Sequence, residues 1–502
     1  MNIFAPVIAL VTFSVSGSTE TGPLQRSYST YVNKTWEMLD DVRVEKKGQL
    51  ERYLAMVNER AHAIVNDTLM GDFFRIKREF YRLTKVAPPP PGLVQKIGHL
   101  KGLVEERYLE KYLLFYDILF IDVNGDVFFT VRKQADYHRN IFSGDLAKTT
   151  LAKRLRDQAK TSFVDYSYYA ASGEPSAFII EPFFDNGNLI GWFVLQNAIN
   201  KINTMFSCGR ELGATGEVFL VNKMHAMLTD SRFLPRSTVL KQHLPAKNIE
   251  EKFRERRGHK SVIDYRGYCA LSSFEVVPVS GSEWLLIAKI DEDEVLTGYY
   301  NQNHDRLMGD LLRNTDACRA PGNVTFPETR ECVTVDMDEF RRGDGTDCLF
   351  TGGVSTCTAI VISLPGRFSY LAHVSPYDRV YGGDETDLLA HMLKKINHLE
   401  IYPFEKRHLR VTVISTVTGG FSGIVRFLTS EGLFLSQMMM LSNGAMNYAN
   451  IYHDCSGGLT VAQWVPRRNG AARVAEKIDM TCTLGASLQK RLSGGGTTAG
   501  IR

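Results

Sequence analysis

Cys357 and His373 are the pair whose types and spacing could do covalent chemistry. They stand in "TGGVSTCTAIVISLPGRFSYLAHVSP", which starts at Thr351. Cys357 closes a Gly/Ser/Thr-rich turn, where backbone amides can face a developing oxyanion and favour a thiolate. An apolar run follows, and Pro365-Gly366 marks a turn. The next run can then return antiparallel and bring His373 beside Cys357. A thiolate, with an imidazole that takes and returns a proton, is what thiol nucleophilic catalysis needs. A buried cysteine beside a strand-end histidine is the plainer alternative. His453, Asp454 and Cys455 in "YHDCSGG" form a rival cluster, but adjacent side chains diverge on a strand. His391 and His398 fall on a helix.

A second group offers recognition rather than reaction. In "TSFVDYSYYAASGEPSAFIIEP", Asp165, Tyr166, Tyr168 and Tyr169 supply a carboxylate and phenols. They suit a polar ligand carrying an amine or hydroxyls. The alternative is that the tyrosines are ordinary core or surface strand positions. None of the eight cysteines forms a CxxC pair, which argues against a zinc ribbon or a thioredoxin-type site. Cys318, Cys332 and Cys348 flank a loop-rich stretch and are the best candidates for a bridge. Neither a metal nor a cofactor is expected.

The elements that must position these groups follow from length and pattern. A chain of 502 residues predicts two to four domains. The net charge of +3 gives no nucleic-acid footprint. No apolar run reaches the length of about 20 residues that spans a bilayer. The opening "MNIFAPVIALVTFSVSGS" has the length and small-residue exit of a signal-peptide core, yet the first basic residue is Arg26. Export or N-terminal anchoring is one expectation, and an exposed apolar terminus is the other.

From about Val32 to Leu83 apolar residues recur at spacings of three and four, which predicts a long amphipathic helix. "VAPPPPG" ends it, and Leu93 to Tyr112 gives a second helical piece. Strands follow. Asn124-Gly125 and Asn186-Gly187 each separate two β-rich runs, a strong hairpin signal. "GEVFLVNKMHAMLTD" and "DYRGYCALSSFEVVPVSGSEWLLIAKID" predict further hairpins, and Gly144 to Lys160 a helical interruption. The fold class is α+β with two successive antiparallel sheets. After one charged helix and a loop-rich linker, a β-rich region begins at Glu331. It contains one clear helix, "DETDLLAHMLKKINHL", and predicts a small α/β layered or sandwich domain.

"FIDVNGDVFFTV", "FIIEPFFDNGNLIGWFVLQNAINKIN", "LGATGEVFLVNKMHAMLTDSRF" and "IDYRGYCALSSF…EWLLIAKIDEDE" resemble the double Cache (dCACHE) sensor domain over roughly Val32 to Glu294. That family is common in bacterial chemoreceptors and sensor kinases. The resemblance implies a stalk helix and two PAS-like modules outside the cytoplasmic membrane, with a small ligand in the membrane-distal module. Asp165 to Tyr169 lie where the family builds that pocket. The Arg-x-Trp-Tyr pattern of the amino-acid-binding subset is absent.

"TGGVSTC" and "LAH" resemble the chemoreceptor glutamine deamidases (CheD) and the deamidase domains of cytotoxic necrotizing factor-type toxins. About 25 residues carry the likeness, and Ser355 to Thr358 stand nearer the toxin branch. The resemblance implies Cys357 as nucleophile, His373 as general base and acid, and Thr351 as the residue that orients the histidine. The later glycine-rich landmarks of the receptor deamidases are not evident here.

The expected plan is an apolar segment (1–24), a stalk helix (25–92), a distal module (93–205) and a proximal module (206–295). A linker (296–330), a deamidase-like domain (331–485) and a flexible tail (486–502) complete it. The expected function is ligand sensing coupled to cysteine-dependent deamidation of an exposed protein glutamine, in bacterial signal transduction or chemotaxis. Expected partners are a small-molecule ligand and a protein substrate, with homodimerisation through the stalk helix. The alternative is a non-catalytic binding protein whose C-terminal domain docks a partner. Export, to the periplasm or beyond, is the expected location, and the cytoplasm the alternative.

Overall fold

The computed structural model describes residues 23–104, 106, 115–156, 160–207, 212–317, 324–329, 331–376, 387–417, 419, 421–467, 473–478 and 483–492. The apolar N-terminal segment, the end of the second helical piece, Cys208, Cys318, Cys482 and residues 493–502 lie outside them. The chain forms two compact units. One is 36–290, and the other joins the described part of 1–35 to that of 291–502.

In the first unit, the part of helix α1 (Pro23–Val65) from residue 36 onward buries Leu39, Val42, Leu50, Tyr53, Val57, Ala61 and Ile64. These recur at helical spacing, so one stripe faces the core. The expected single stalk is broken after Val65. Asp67 takes an extended backbone (φ −75°, ψ 127°), and its carboxylate accepts from the Leu69 amide at 2.8 Å, capping α2 (Thr68–Thr84). Helix α3 (Pro91–Val104) opens on a proline at its first position, where the missing N–H costs nothing.

The distal module is a five-stranded antiparallel sheet. Its strands are β1 (Asp117–Asp122), β2 (Val127–Thr130), β3 (Ser162–Tyr169), β4 (Glu174–Asp185) and β5 (Asn188–Ala198), in the order β2-β1-β5-β4-β3. Asn186 and Gly187 both have positive φ (47° and 78°), as the tight turn between β4 and β5 requires. One face carries Phe120, Phe128 and Phe193, which meet Phe74 of α2 with ring centroids about 5 Å apart. The other face carries Leu119, Ile121, Phe178, Ile180 and Val194, covered by the 131–148 loop and α4 (Thr150–Arg156). Among the described residues of Gly144 to Lys160 the helix is a 3-10 turn at Leu146–Lys148 and α4.

Helix α5 (Asn200–Phe206) leads to the proximal module: β6 (Glu217–Val221), α6 (Ala246–Glu255), β7 (Arg257–Ile263), β8 (Cys269–Val279) and β9 (Ser282–Asp291). The order β6-β9-β8-β7 repeats β1-β5-β4-β3. The turns after the first strand repeat as well. Asp122 Oδ1 accepts from the amides of Asn124 and Asp126, and Asn222 Oδ1 accepts from those of Met224 and Ala226. The hairpin expected in "GEVFLVNKMHAMLTD" forms only as the bridge Val221↔Met227. The Met227 backbone exchanges bonds with Gln242 and Leu240 in the following loop, so no second strand propagates.

The second unit stacks two mixed sheets and a helical layer. Its strands are β10 (Val333–Thr334), β11 (Glu339–Gly343), β12 (Cys348–Val354), β13 (Thr358–Leu364), β14 (Phe368–Val374), β15 (Arg410–Ser415), β16 (Met438–Ser442), β17 (Met446–Asp454), β18 (Leu459–Pro466) and β19 (Val474–Lys477). They form the sheets β10-β12-β17-β18-β19 and β11-β14-β13-β15-β16. Leu349, Ile451 and Trp464 of the first sheet meet Val361, Leu371 and Ile414 of the second in an apolar layer. The other face of the second sheet packs against helices α7 (Glu292–Ala317), α8 (Leu388–Lys395), α9 (Phe421–Ser430) and α10 (Leu484–Leu492). Helix α9 makes the crossover that the parallel pair β15–β16 needs.

Two stretches differ from expectation. Leu296, Tyr299, Tyr300, Leu307, Met308 and Leu311 of α7 are core residues, so much of the expected 296–330 linker is packed helix. Leu484, Leu488 and Leu492 of α10 bury likewise, although 486–502 was expected as a flexible tail. Both helices mix charged and apolar residues, and their apolar stripes gain stability only against this core. Among the described residues no helix is long and apolar enough to cross a membrane.

Candidate functional sites

The turn between β12 and β13 carries Cys357. Antiparallel pairing sets Ala359 opposite His373, so Cys357 and His373 are diagonal neighbours on one sheet face. That face looks toward the apolar layer between the two sheets, which includes Cys357. Gly353 has positive φ (71°) and interrupts the β12–β17 register, swinging the chain from one sheet toward the other. Thr416 Oγ1 donates to the Ser355 carbonyl and Ser415 Oγ to that of Cys357, at 2.5 and 2.7 Å, fixing the turn.

Thr351, on β12, sits across from β14. Its Oγ1 is 2.8 Å from His373 Nδ1 and donates its one proton to the Val335 carbonyl at 2.7 Å. Oγ1 can therefore only accept from the ring, which places the imidazole proton on Nδ1. His373 Nε2 is left as a buried acceptor with no hydrogen-bond partner among the described residues. Burial lowers the His373 pKa, against the opposing charges of Asp338 and Asp336. Burial and then the Asp338 charge raise that of the Cys357 thiol. Both shifts favour the uncharged thiol and the uncharged imidazole. Cys357 Sγ makes no hydrogen bond to His373 and instead lies 3.8 Å from Sδ of Met337, an exposed residue.

The segment bearing Val335, Met337 and Asp338 is fastened nearby. Cys332 is disulfide-bonded to Cys348, and Val333 pairs with Leu349. The Asp338 amide donates to the His373 carbonyl at 2.7 Å. Sequence reasoning did not single out Val335 or Asp338, because a backbone carbonyl leaves no mark on residue type. The rival cluster is spent internally. His453 bonds Thr460 Oγ1 through Nδ1 and Ser369 Oγ through Nε2, and burial pushes its pKa down to about 4. Burial pushes the Cys455 thiol up to about 11.

The four expected ligand residues separate. Asp165 accepts from Ser282 Oγ (2.7 Å) and Trp284 Nε1 (2.9 Å), tying the distal module to the proximal one. Tyr166 is buried beside Trp284. Tyr168 is 65% exposed. Tyr169 faces the distal core, and its hydroxyl donates to Asp136 Oδ2 at 2.8 Å.

Around Tyr169 stands a group that sequence reasoning missed. Asp117, the first residue of β1, pairs in register with Gln196 of β5. Asp117 Oδ1 accepts from the amides of Ile118, Val131 and Arg132. Gln196 donates through Nε2 to Ser176 Oγ at 2.8 Å. Burial, and then the Asp136 charge, raise the Asp117 pKa to about 6, and burial raises that of Asp136 as well. In the proximal module the matching pair is Glu217 of β6 and Lys289 of β9. There the Lys289 ammonium lies 3.1 Å from Glu217 Oε1 and 2.5 Å from Asp264 Oδ2. Tyr265 donates to the same Glu217 oxygen at 2.5 Å. Superposing "DILFIDVNGD" on "EVFLVNKMHA" is the signal that could have found this correspondence. A polar cavity of about 230 Å³ adjoins Glu217, Asp230, Ser231 and Arg232.

No family model matches the chain, and no curated protein matches it. Solved structures that part of this chain is similar to include the ligand-binding domain of Mlp24 with asparagine. It is 15% identical, over 55% of this chain and 98% of that one, with a TM-score of 0.36. The ligand-binding domain of the Pseudomonas aeruginosa amino acid chemoreceptor PctB in complex with L-Gln is 15% identical, over 56% and 98%, with a TM-score of 0.33. That of the chemoreceptor PctC from the same organism, in complex with GABA, is 15% identical, over 50% and 98%, with a TM-score of 0.32.

Proposed function

We propose that this chain is a ligand-sensing Cache protein whose C-terminal unit is a cysteine-dependent protein-glutamine deamidase. The observation that supports the catalytic half is the fixed tautomer of His373: Nδ1–H is held by Thr351, and Nε2 is left without a partner on the sheet face that carries Cys357. An Nε2 left without a partner is the atom a general base must present.

In this reading Nε2 takes the Cys357 proton as a substrate glutamine enters, and the thiolate adds to the side-chain amide carbon. Amides of the Ser355–Cys357 turn hold the oxyanion. Protonated His373 delivers its proton to the departing nitrogen, releasing ammonia and leaving a thioester. Neutral His373 then takes a proton from water, hydroxide adds to the thioester carbon, and the thiolate leaves and recovers the proton. Glutamate is the product. The Cys332–Cys348 bridge supports an oxidising compartment and so export.

Ammonia release from a glutamine-containing protein tests the proposal. Cys357→Ser and His373→Ala should abolish it with the fold intact, and Cys455→Ser should leave it unchanged. Turnover that survives Cys357→Ser would end the enzyme reading. A second reading, a C-terminal unit that only docks a partner, is favoured by the raised thiol pKa of Cys357. Mild alkylation separates the two, since one fast-reacting cysteine at position 357 is expected of an enzyme.

A further inference from the structure

The proximal module buries two hydrogen-bond donors that meet no acceptor, and one small cavity adjoins both. Lys252 of α6 is 2% exposed, and Ser272 of β8 is 1% exposed. Ser272 Oγ has no hydrogen-bond partner among the described residues. The Lys252 ammonium forms no hydrogen bond or ion pair among them, and lies 5.5 Å from the centroid of the Phe274 ring. Glu251 and Glu255, on the same helix, are both held by Lys260, at 2.8 and 2.7 Å. Burial, and then the Lys260 charge, bring the Lys252 pKa down to about 8.

The sheet sets the two donors toward one space. Ser272 stands two residues before Phe274 on β8, so both side chains leave the same face, the one that packs in the core with Ile249 of α6. The cavity there is about 20 Å³, room for one water-sized group, and Lys252, Ser272, Asp264 and Lys289 line it among apolar side chains. Its carboxylate is already matched. Asp264 Oδ2 lies 2.5 Å from the Lys289 ammonium and 2.8 Å from the Arg266 guanidinium. Lys252 thus brings a positive charge that no carboxylate balances among the described residues. A buried ammonium is costly without a counter-charge, and a native core leaves few donors unpaired. A water fills the donors and leaves the charge. An anion accepts from both donors and cancels it, since an ammonium donates only and a hydroxyl can donate.

We propose that the proximal module binds a compact monovalent anion, of chloride or formate size, between the Lys252 ammonium and the Ser272 hydroxyl. The cavity volume excludes larger anions, and the ammonium excludes cations. This site requires neither a ligand in the distal module nor catalysis at Cys357.

The test uses the full chain. Its melting temperature is followed in sodium chloride, bromide and formate, against sodium gluconate, an anion too large for the cavity, at matched ionic strength. At least one small anion should raise the melting temperature progressively with concentration, as mass action requires. A response to the halides alone assigns a halide site, and a response to formate alone a carboxylate site. Ser272→Ala should weaken binding by about tenfold or more, the factor for one hydrogen bond to a charged group. Lys252→Met keeps an apolar stem of similar length and should abolish the small-anion response, with circular dichroism checking the fold. Crystals grown in bromide should show its anomalous scattering beside Lys252 Nζ. The proposal is overturned if no small anion differs from gluconate, if the response is unchanged in both variants, or if the cavity holds only water in bromide.

Discussion

The distal and proximal modules carry the same strand order and the same turn after the first strand, yet they treat buried charge in opposite ways. In the proximal module Glu217 and Asp264 are neutralised by Lys289, an ammonium 2% exposed with both carboxylates in reach. In the distal module the Asp136 charge acts on Asp117, neither carboxylate forms an ion pair among the described residues, and burial raises the pKa of both. A sheet face tolerates paired carboxylates either by enclosing a counter-charge or by lifting their pKa values. The first solution is fixed in structure. The second responds to what arrives.

The largest way to break this comparison is Lys289→Met. It leaves two buried carboxylates without their ammonium and should cost about 3–5 kcal/mol in urea unfolding. A cost below about 1 kcal/mol would mean that Lys289 does not neutralise the pair.

Asp117→Asn tests the other module through pH. The Asp117 pKa is raised in the folded protein from 3.8 to about 6, so the folded state binds more protons than the unfolded state between those values. The stability this group contributes is present below about pH 4 and lost as pH rises through 6. Without ligand that loss is on the order of 3 kcal/mol. The Asn variant should show a flatter denaturant midpoint from pH 4 to 7 and greater stability at pH 7. An unchanged slope would remove Asp117 from the comparison.

The two tyrosines give a smaller contrast. Tyr265→Phe removes the donor to Glu217 and the oxygen that accepts from Ser231, and Tyr169→Phe removes the donor to Asp136. Each should cost about 2 kcal/mol, as for a hydrogen bond to a charged group. Only Tyr169→Phe should alter the pH dependence that Asp117→Asn flattens.

The smallest effect is expected at the shared turn. Asp122→Asn puts into the distal module the residue that the proximal module already uses at Asn222, with the same amide-accepting oxygen. Its cost should stay within about 0.5 kcal/mol. A larger loss would show that the two turns are not equivalent.

Much of this organisation was legible in residue order. Asn124-Gly125 and Asn186-Gly187 marked the distal hairpins because those turns need positive φ, which few residues accept. The period of Leu50, Leu54, Val57, Ala61 and Ile64 marked α1. Cys332 and Cys348, two of three candidates, are bonded. By contrast, α7 and α10 were expected as linker and tail, because their apolar stripes are dilute and acquire meaning only against the second sheet. Asp165 looked like a ligand residue by type, yet Ser282 and Trp284 occupy it.

At the C-terminal site the sequence by itself determined that Cys357 follows a turn and that a Pro-Gly turn could return His373 toward it. Strand pairing is local there, and its turn residues are few and diagnostic. Only the tertiary structure decided that Thr351, on the facing sheet, holds Nδ1 and leaves Nε2 bare, and that burial favours the uncharged thiol and imidazole. Those outcomes depend on burial and on partners distant along the chain, such as the Val335 carbonyl. The same holds for Asp117, Asp136 and Gln196. Their identities are plain in the sequence, but whether a carboxylate meets an amide, a lysine or nothing is settled by strand register and by the dielectric of the core around it.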